Sequence, residues 1–415
     1  MSAPQLKEVR SPIDQDGLRA YLSKLTSSTS DKNNGAPLQT IISHNAHLPA
    51  SYTTIKQFTF GQSNPTYYLE DASGRSFVLR RKPTQNAKLV SKSAHAIERE
   101  FYILNAINIL NESARLKIPV PRVHLLCEDE SVLGYVFYIM DYVQGIQIKN
   151  PALLPAIEES DTQTRETIWR SITETAAAIH LLDAEALIQL LPPSHFPQFQ
   201  NLAKLKKSSY FSRQLRTLTQ IHQKQSEYVD PIPDFDKITS FLAWSAPPDP
   251  EKLSLVHGDF KIDNLLFDPV TYQVVAVLDW ELCTIGHPLF DLANFLQLFA
   301  VPNQLAQMLM RPVKATIGKE DAASQEFLVH ELTQYSRLAN WGKGQDPVEL
   351  WTVGHVFGLL RLCVISQGIA MRVKQGNASS ANAEMFASAY PTLSGLCVDD
   401  IDEFESSVAK NKSKI

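Results

Sequence analysis

The chain has 415 residues, 44% hydrophobic and 20% charged, a length that favours two or three structural units and a composition that excludes collagen-like, coiled-coil and wholly disordered classes. Lysine and arginine total 39 against 44 acids, a formal net charge of -5, so the basic excess of nucleic-acid binders is missing and no nucleic-acid partner is expected. The scattered cysteines Cys127, Cys283, Cys363 and Cys397 form no C-x-x-C pair, which leaves a zinc site or disulfide scaffold without support and points to a reducing compartment.

The N-terminus carries acids and lacks an apolar core, so it reads as neither a secretory signal nor a transit peptide. An amphipathic segment around Leu18, Leu22 and Leu25 precedes the polar tract SSTSDKNNG, and residues 1–37 are expected to be an extension of the main fold. From Ile55 to Arg80 the runs IKQFTF, TYYLE and RSFVLR, separated by GQSNP and DASG, predict antiparallel strands joined by turns. Ser91 to Leu110 has a helical stripe of Ala94, Ile97, Phe101, Leu104 and Ile107. A second strand pair follows in VPRVHLLCED and YVFYIMDYV. Beyond Asn150 helical periodicity dominates, as in Ile168, Ile172, Ile179 and Leu182 and again in Val356, Phe357, Leu360 and Val364. The exception is Leu265 to Asp279, which predicts a hairpin. The longest apolar stretch, Trp351 to Met371, is broken by His355, Arg361 and Gln367, so no membrane insertion is expected. The reading is an α+β, two-lobed chain, with an antiparallel-sheet lobe at 38–143 and a mainly helical lobe at 144–415.

The segment that carries chemistry is HGDFKIDN, His257 to Asn264, followed by LDWE, Leu278 to Glu281. An Asp five positions before an Asn, then a hairpin delivering another Asp fifteen residues later, is the arrangement by which protein kinases hold base and metal together. Transfer of a γ-phosphoryl group needs a carboxylate to orient the attacking hydroxyl and accept its proton, and oxygen ligands to fix Mg²⁺ on the nucleotide phosphates. Asp259 supplies the first; Asn264 and Asp279 supply the second, and Mg²⁺ accepts so small a set because it keeps waters and phosphate oxygens; the competing reading is that His257 and Asn264 brace a turn and Asp279 ends a strand.

Such chemistry calls for a phosphate-covering turn, a cation and the cation's carboxylate partner. Gly61, Gln62, Ser63 and Asn64 lie in a turn between strands, where backbone N–H groups meet phosphates or where the chain merely reverses. The strand FVLRRKP places Arg80 where kinase strands end in lysine; arginine keeps a permanent, bidentate charge there but not the geometry of a compact ammonium. On the helix IEREFYIL, Glu98 and Glu100 compete for Arg80. Glu100 falls inside the apolar stripe, where an acid needs a partner, and is the favoured one. The run YIMDYVQG resembles a kinase linker, which would meet an adenine edge through the backbone of Asp141 and Val143, or is an ordinary strand end. Asp291 in HPLFD is read as a helix-capping acid, with a place against the catalytic loop as the alternative.

Together FGQSNPTYYL, FVLRRKP, SAHAIEREF, YFSRQLRTL, HGDFKIDNLLF, VLDWELCTIGHPLFDLA and LLRLCVISQGIAMRV resemble the aminoglycoside phosphotransferase, or choline-kinase-like, branch of the protein-kinase-like fold. Its signature is HGDxxxxN followed by DxD or DxE, here Asp279 and Glu281. Within it, the resemblance is to the kinase-like domain fused ahead of acyl-CoA dehydrogenases in animal proteins, over about residues 55 to 390. It implies ATP- and Mg²⁺-dependent phosphorylation of a small-molecule hydroxyl. Asp259 would be the base, with Lys261 neutralising the transferred phosphoryl group and His257 in the catalytic set; Asn264, Asp279 and Glu281 would attend the metal, and Arg80 the phosphates. The acceptor it implies is a hydroxyacyl-CoA, entering a route that removes the hydroxyl of 4-hydroxy acids before β-oxidation, with any later oxidation left to another protein. The basic tract Lys204, Lys206, Lys207, Arg213 and Arg216 is set against CoA phosphates or a solvated helix face, and the acidic run Asp399, Asp400, Asp402, Glu403 and Glu405 against a cationic acceptor or a solvated face. The alternatives are a nucleotide-binding pseudokinase scaffold, suggested by Arg80, or a kinase of an aminoglycoside, choline-like or sugar acceptor. Ser413-Lys414-Ile415 is close to a peroxisomal address read by an import receptor, giving an expectation of peroxisomal location with the cytoplasm as the alternative.

Overall fold

The computed structural model describes residues 6–7, 13–27, 40–49, 51–58, 64–83, 96–148, 162–207, 209–310, 318–377 and 383–412. The chain divides into two compact units, Met1–Gln200 with His257–Thr284 and Asn201–Val256 with Ile285–Ile415. These contacts group the HGD segment with the first 200 residues rather than with the remainder of a lobe running from 144 to 415.

The first unit is built on a seven-stranded antiparallel sheet. Its strands are β1 (Leu6–Lys7), β2 (Thr40–Ile42), β3 (Tyr52–Phe58), β4 (Thr66–Asp71), β5 (Ser76–Arg81), β6 (Val123–Cys127) and β7 (Phe137–Asp141), in the order β1-β3-β4-β5-β7-β6-β2. The short edge strands β1 and β2 had no signal in the sequence. Alternation of side chains along a strand gives the sheet two different faces. Phe77 and Leu79 of β5, with Phe137 and Ile139 of β7, enter an apolar core that also takes Leu18, Tyr21, Leu22 and Leu25 of helix α1 (Gln15–Ser27). The amphipathic segment read as part of an extension is therefore a wall of this core: its leucines are at most 4% exposed. The tract after it lies outside the described residues.

Val78 and Arg80 fall on the opposite face, in register with Met140 and Tyr138. Helix α2 (Ile97–Asn111) buries Ile97, Phe101, Leu104 and Ile107, as its spacing predicts, and with them Glu98 and Glu100. A separate three-stranded sheet joins Val274–Val277, Leu265–Phe267 and Ile146–Gln147, so the predicted hairpin is present and docks on the chain just past β7.

The second unit is helical. Trp351–Lys374 is long and apolar enough by composition to cross a membrane, but half of its most apolar window is buried inside the protein, and it packs on Leu289–Leu296, Tyr210–Ser226 and Tyr390–Lys412. Its predicted stripe of Val356, Phe357, Leu360 and Val364 is buried. Close approach requires glycine at 354, where a Cβ would meet Leu289 Cγ at 2.7 Å.

Candidate active site

The HGD segment is a tight, backbone-anchored loop. Gly258 has φ +85, and a Cβ there would stand 2.5 Å from the Leu282 carbonyl oxygen, so only glycine fits. His257 is fully buried. Its Nε2–H donates to the Leu278 carbonyl at 3.0 Å and its Nδ1 accepts the Asp259 N–H at 3.2 Å. Both ring nitrogens are thus engaged by main chain, and the Trp280 ring stands edge-on at 4.6 Å. This corrects the placing of His257 among the reacting groups: it positions the loop against the hairpin and has no nitrogen left for a substrate.

Asn264 Nδ2 donates to the Asp259 carbonyl oxygen at 2.9 Å and to Asp259 Oδ2 at 3.0 Å, while Lys261 Nζ lies 3.1 Å from the same Oδ2. Asp259 is therefore held as an acceptor by two donors. Burial works against the Lys261 charge, but Asp259 and Asp263 more than offset it and raise its pKa. Because the Asn264 amide nitrogen is spent on Asp259, its oxygen is the atom left to ligate a metal.

The hairpin ends at Asp279, whose φ of 70 and ψ of 58 put a non-glycine residue in the left-handed region, a strained backbone of the kind that collects at functional sites. Two residues later Glu281 completes the D-x-E pair. Its carboxyl is raised to about 7, by burial first and then by the neighbouring Asp279 charge, with Arg80 opposing.

Arg80 joins this pair to the sheet and to α2. Its Nη1 donates to Glu100 Oε1 at 2.8 Å and its Nη2 to Asp279 Oδ1 at 3.2 Å; the same Nη2 is 3.9 Å from Glu281 Oε2. Of the competing acids, Glu100 pairs with Arg80 and Glu98 with Lys82. Burial pushes the Glu100 carboxyl up, partly countered by Arg80. For Arg80 itself the cost of burial is overcome by the Glu100 and Asp279 carboxylates, which hold it charged.

One cavity runs along these groups. Val78, Met140, Leu104, Leu266 and Val277 form its apolar lining, Arg80, Glu100, Asp263, Asn264 and Asp279 its polar end, and Asp141, Tyr142 and Val143 also border it. The Asp141 N–H is taken by the Arg122 carbonyl, and its carboxylate by His124 Nε2 at 2.8 Å, so an adenine edge would find the Asp141 carbonyl, not its N–H. Among the described residues no group of three or more His, Cys, Asp or Glu has metal-holding geometry. The donor set is instead one amide oxygen and two carboxylates, which suits a hard cation that keeps waters and phosphate oxygens. A second observation fits the same group: Asn64, 1% exposed, donates Nδ2 to Glu281 Oε2 at 3.4 Å and leaves its buried Oδ1 without a partner. Gly61, Gln62 and Ser63 lie outside the described residues, as do Ser413, Lys414 and Ile415.

Sequence reasoning missed Asp263, Tyr138 and Lys82. Asp263 borders the cavity, and burial raises its carboxyl against the pull of Lys261; its place beside Asn264 in the motif was the available signal. Tyr138 is reached only through the cross-strand register with Arg80. In the second unit Arg213 donates to the Leu205 and Ile285 carbonyls and lies over the Tyr210 ring, so it is engaged within the fold. The acidic run is also more than a solvated face: Asp400 accepts from Lys319 at 2.9 Å and contacts His355 at 2.8 Å, and Glu403 pairs with Lys319. Asp291 sits fully buried in the first turn of Leu289–Leu296.

The phosphotransferase enzyme family profile matches residues 54–319. Acyl-CoA dehydrogenase family member 10 of Mus musculus is 32% identical over 401 residues, 96% of this chain and 32% of that protein. Acyl-CoA dehydrogenase family member 11 of Gallus gallus is 33% identical over 342 residues, 82% of this chain and 39% of that protein. The chain therefore spans roughly a third of the length of these curated relatives. A crystal structure from Ralstonia eutropha, provisionally assigned as an aminoglycoside phosphotransferase, superposes with TM-score 0.67 at 26% identity, covering 94% of this chain and 99% of that one. The antiparallel sheet followed by a helical part is the α+β, protein-kinase-like fold of that class.

Proposed function

Since the chain belongs to the phosphotransferase enzyme family, we propose that it is a small-molecule kinase that uses ATP and Mg²⁺ to phosphorylate a hydroxyl group, and that the hydroxyl belongs to a 4-hydroxyacyl-CoA. The observation that carries the catalytic part is the double hold on Asp259, by Asn264 at 3.0 Å and Lys261 at 3.1 Å. A carboxylate fixed in this way orients an acceptor hydroxyl and takes its proton as the new bond to the γ-phosphorus forms and the bond from that phosphorus to the departing ADP oxygen breaks. Lys261 offsets charge on the transferred group, and Arg80 offers donors to phosphate oxygens. Asn264, Asp279 and Glu281 would hold Mg²⁺, which neutralises charge building on the phosphates. The apolar part of the cavity takes the adenine ring, with the Asp141 carbonyl and the Val143 backbone at its edge.

Two relatives covering most of this chain are called acyl-CoA dehydrogenase family members, which supports an acceptor from acyl-CoA metabolism over an aminoglycoside, choline or sugar. The test is an acceptor panel read by ADP release, with 4-hydroxyacyl-CoAs beside those three classes. Mg²⁺-dependent turnover with a 4-hydroxyacyl-CoA, lost in Asp259→Ala, is the expected result. Turnover with another class replaces the acceptor. Stabilisation by Mg-ATP without ADP release from any acceptor replaces the enzyme by a nucleotide-binding scaffold.

A further inference from the structure

One guanidinium sits on both acids of the D-x-E pair. Arg80 Nη2 donates to Asp279 Oδ1 at 3.2 Å and is 3.9 Å from Glu281 Oε2, while its Nη1 is tied to Glu100 at 2.8 Å. The planar fork of arginine sends two separate nitrogens to the two elements, whereas a lysine would have to bring one ammonium within reach of both. Asp279 and Glu281 are also the groups proposed above to hold Mg²⁺, so this inference rests on that reading. We infer that Arg80 and the divalent cation compete for Asp279, so that Arg80 suppresses binding of a bare cation and makes metal binding conditional on nucleotide.

The site gathers the acids Glu100, Asp259, Asp263, Asp279 and Glu281, and its cations are Arg80 and Lys261. A bare divalent ion arriving beside Asp279 meets a partly buried positive charge a few ångströms away and must break a charge-assisted hydrogen bond. A nucleotide changes both terms. Its phosphate oxygens offer the Arg80 donors another acceptor, and their negative charge offsets the repulsion between guanidinium and metal. Metal and nucleotide then strengthen each other's binding by the same factor, as linkage requires. Had Arg80 served only to hold Asp279 in its strained conformation, removing it would loosen the site and weaken the metal. The two roles predict opposite signs.

The experiment measures Mn²⁺ binding by the loss of its free-ion electron paramagnetic resonance signal, on the full chain, with and without ADP, each titration set against the same Mn²⁺ and ADP without protein. Two variants are compared with the parent, each checked for folding by circular dichroism. Arg80→Gln keeps a neutral donor for Glu100, and Arg80→Met with Glu100→Gln removes the carboxylate that would otherwise be left buried and unpaired. In the parent, Mn²⁺ alone should bind weakly and ADP should tighten it by about tenfold or more; in either variant, Mn²⁺ alone should bind about tenfold tighter than in the parent, with less gain from ADP. If the folded variants bind bare Mn²⁺ no more tightly than the parent, the inference is overturned while the kinase reading stands. If the parent takes up no Mn²⁺ even with ADP, the metal–nucleotide reading fails, and this inference with it.

Discussion

Asn264 grips Asp259 twice, donating one side-chain amide to both its main-chain carbonyl, at 2.9 Å, and its carboxylate, at 3.0 Å. The contact closes the loop between the two residues and fixes the rotamer of the carboxylate before any substrate arrives. It also sorts the polar atoms of Asn264, nitrogen toward the base and oxygen toward the metal.

Replacing Asp259 by Asn removes the proton acceptor but keeps the shape. Turnover should fall by about 10² to 10⁴, the usual contribution of a positioned general base, while nucleotide affinity changes little. Steady-state ADP release together with fluorescence titration of a nucleotide analogue separates the two. An equal loss in both would mean that Asp259 organises the site instead of reacting.

Gly258→Ala should be costly away from any ligand. The backbone is at φ +85 and the added methyl would lie 2.5 Å from the Leu282 carbonyl oxygen, so the loop must shift or remain strained by about 1–3 kcal/mol. Chemical denaturation of the two proteins measures this. A variant as stable as the parent would show that the loop moves freely.

Helix α1 can be tested as part of the core. Leu22 has no exposed surface and packs among the sheet residues, so Leu22→Ala should lose about 2–5 kcal/mol. The exposed Leu190 serves as a control, expected within about 0.5 kcal/mol of the parent on the same substitution. Equal effects of the two changes would detach α1 from the fold.

The Asp400 cluster sets an acid limit on the second unit. Burial alone would raise this carboxyl, yet the hydrogen bond and charge of His355 and Lys319 hold it below the ordinary aspartate value. A carboxyl depressed in the folded state adds stability above its unfolded pKa, about 3.9, and loses it as pH falls through the folded value. Asp400→Asn should therefore cost roughly 1–3 kcal/mol near neutrality. The difference should persist down to about pH 5 and shrink toward pH 3. Urea titrations across that range check the sign; a gap that widens with acid would reverse the assignment.

Much of this site could be read from local pattern. Asp259, Asn264 and Asp279 stand at fixed spacing on one loop and one hairpin, and short-range geometry is decided by short-range sequence. Glu100 was distinguishable from Glu98 because helical periodicity places it in an apolar stripe, where an acid must find a partner. The extent of the first strands, the main helices and the hairpin followed from periods of 2 and 3.6 residues in the same way.

Other features depend on groups far apart in the chain. The Lys82–Glu98 pair, the contact of Asn64 with Glu281 across 217 positions, and the seating of α1 on the sheet arise from strand order, which no local period encodes. His257 looked chemical because its motif is chemical; only the position of the Leu278 carbonyl shows that its second nitrogen is spent. Sequence alone determined which side chains are available and which of them share a turn or a helix face, because backbone geometry repeats over a few residues. Tertiary structure decided which charges meet, above all that one arginine reaches Glu100 and Asp279 at once, because that depends on the packing of a strand, a helix and a hairpin that are separated along the chain.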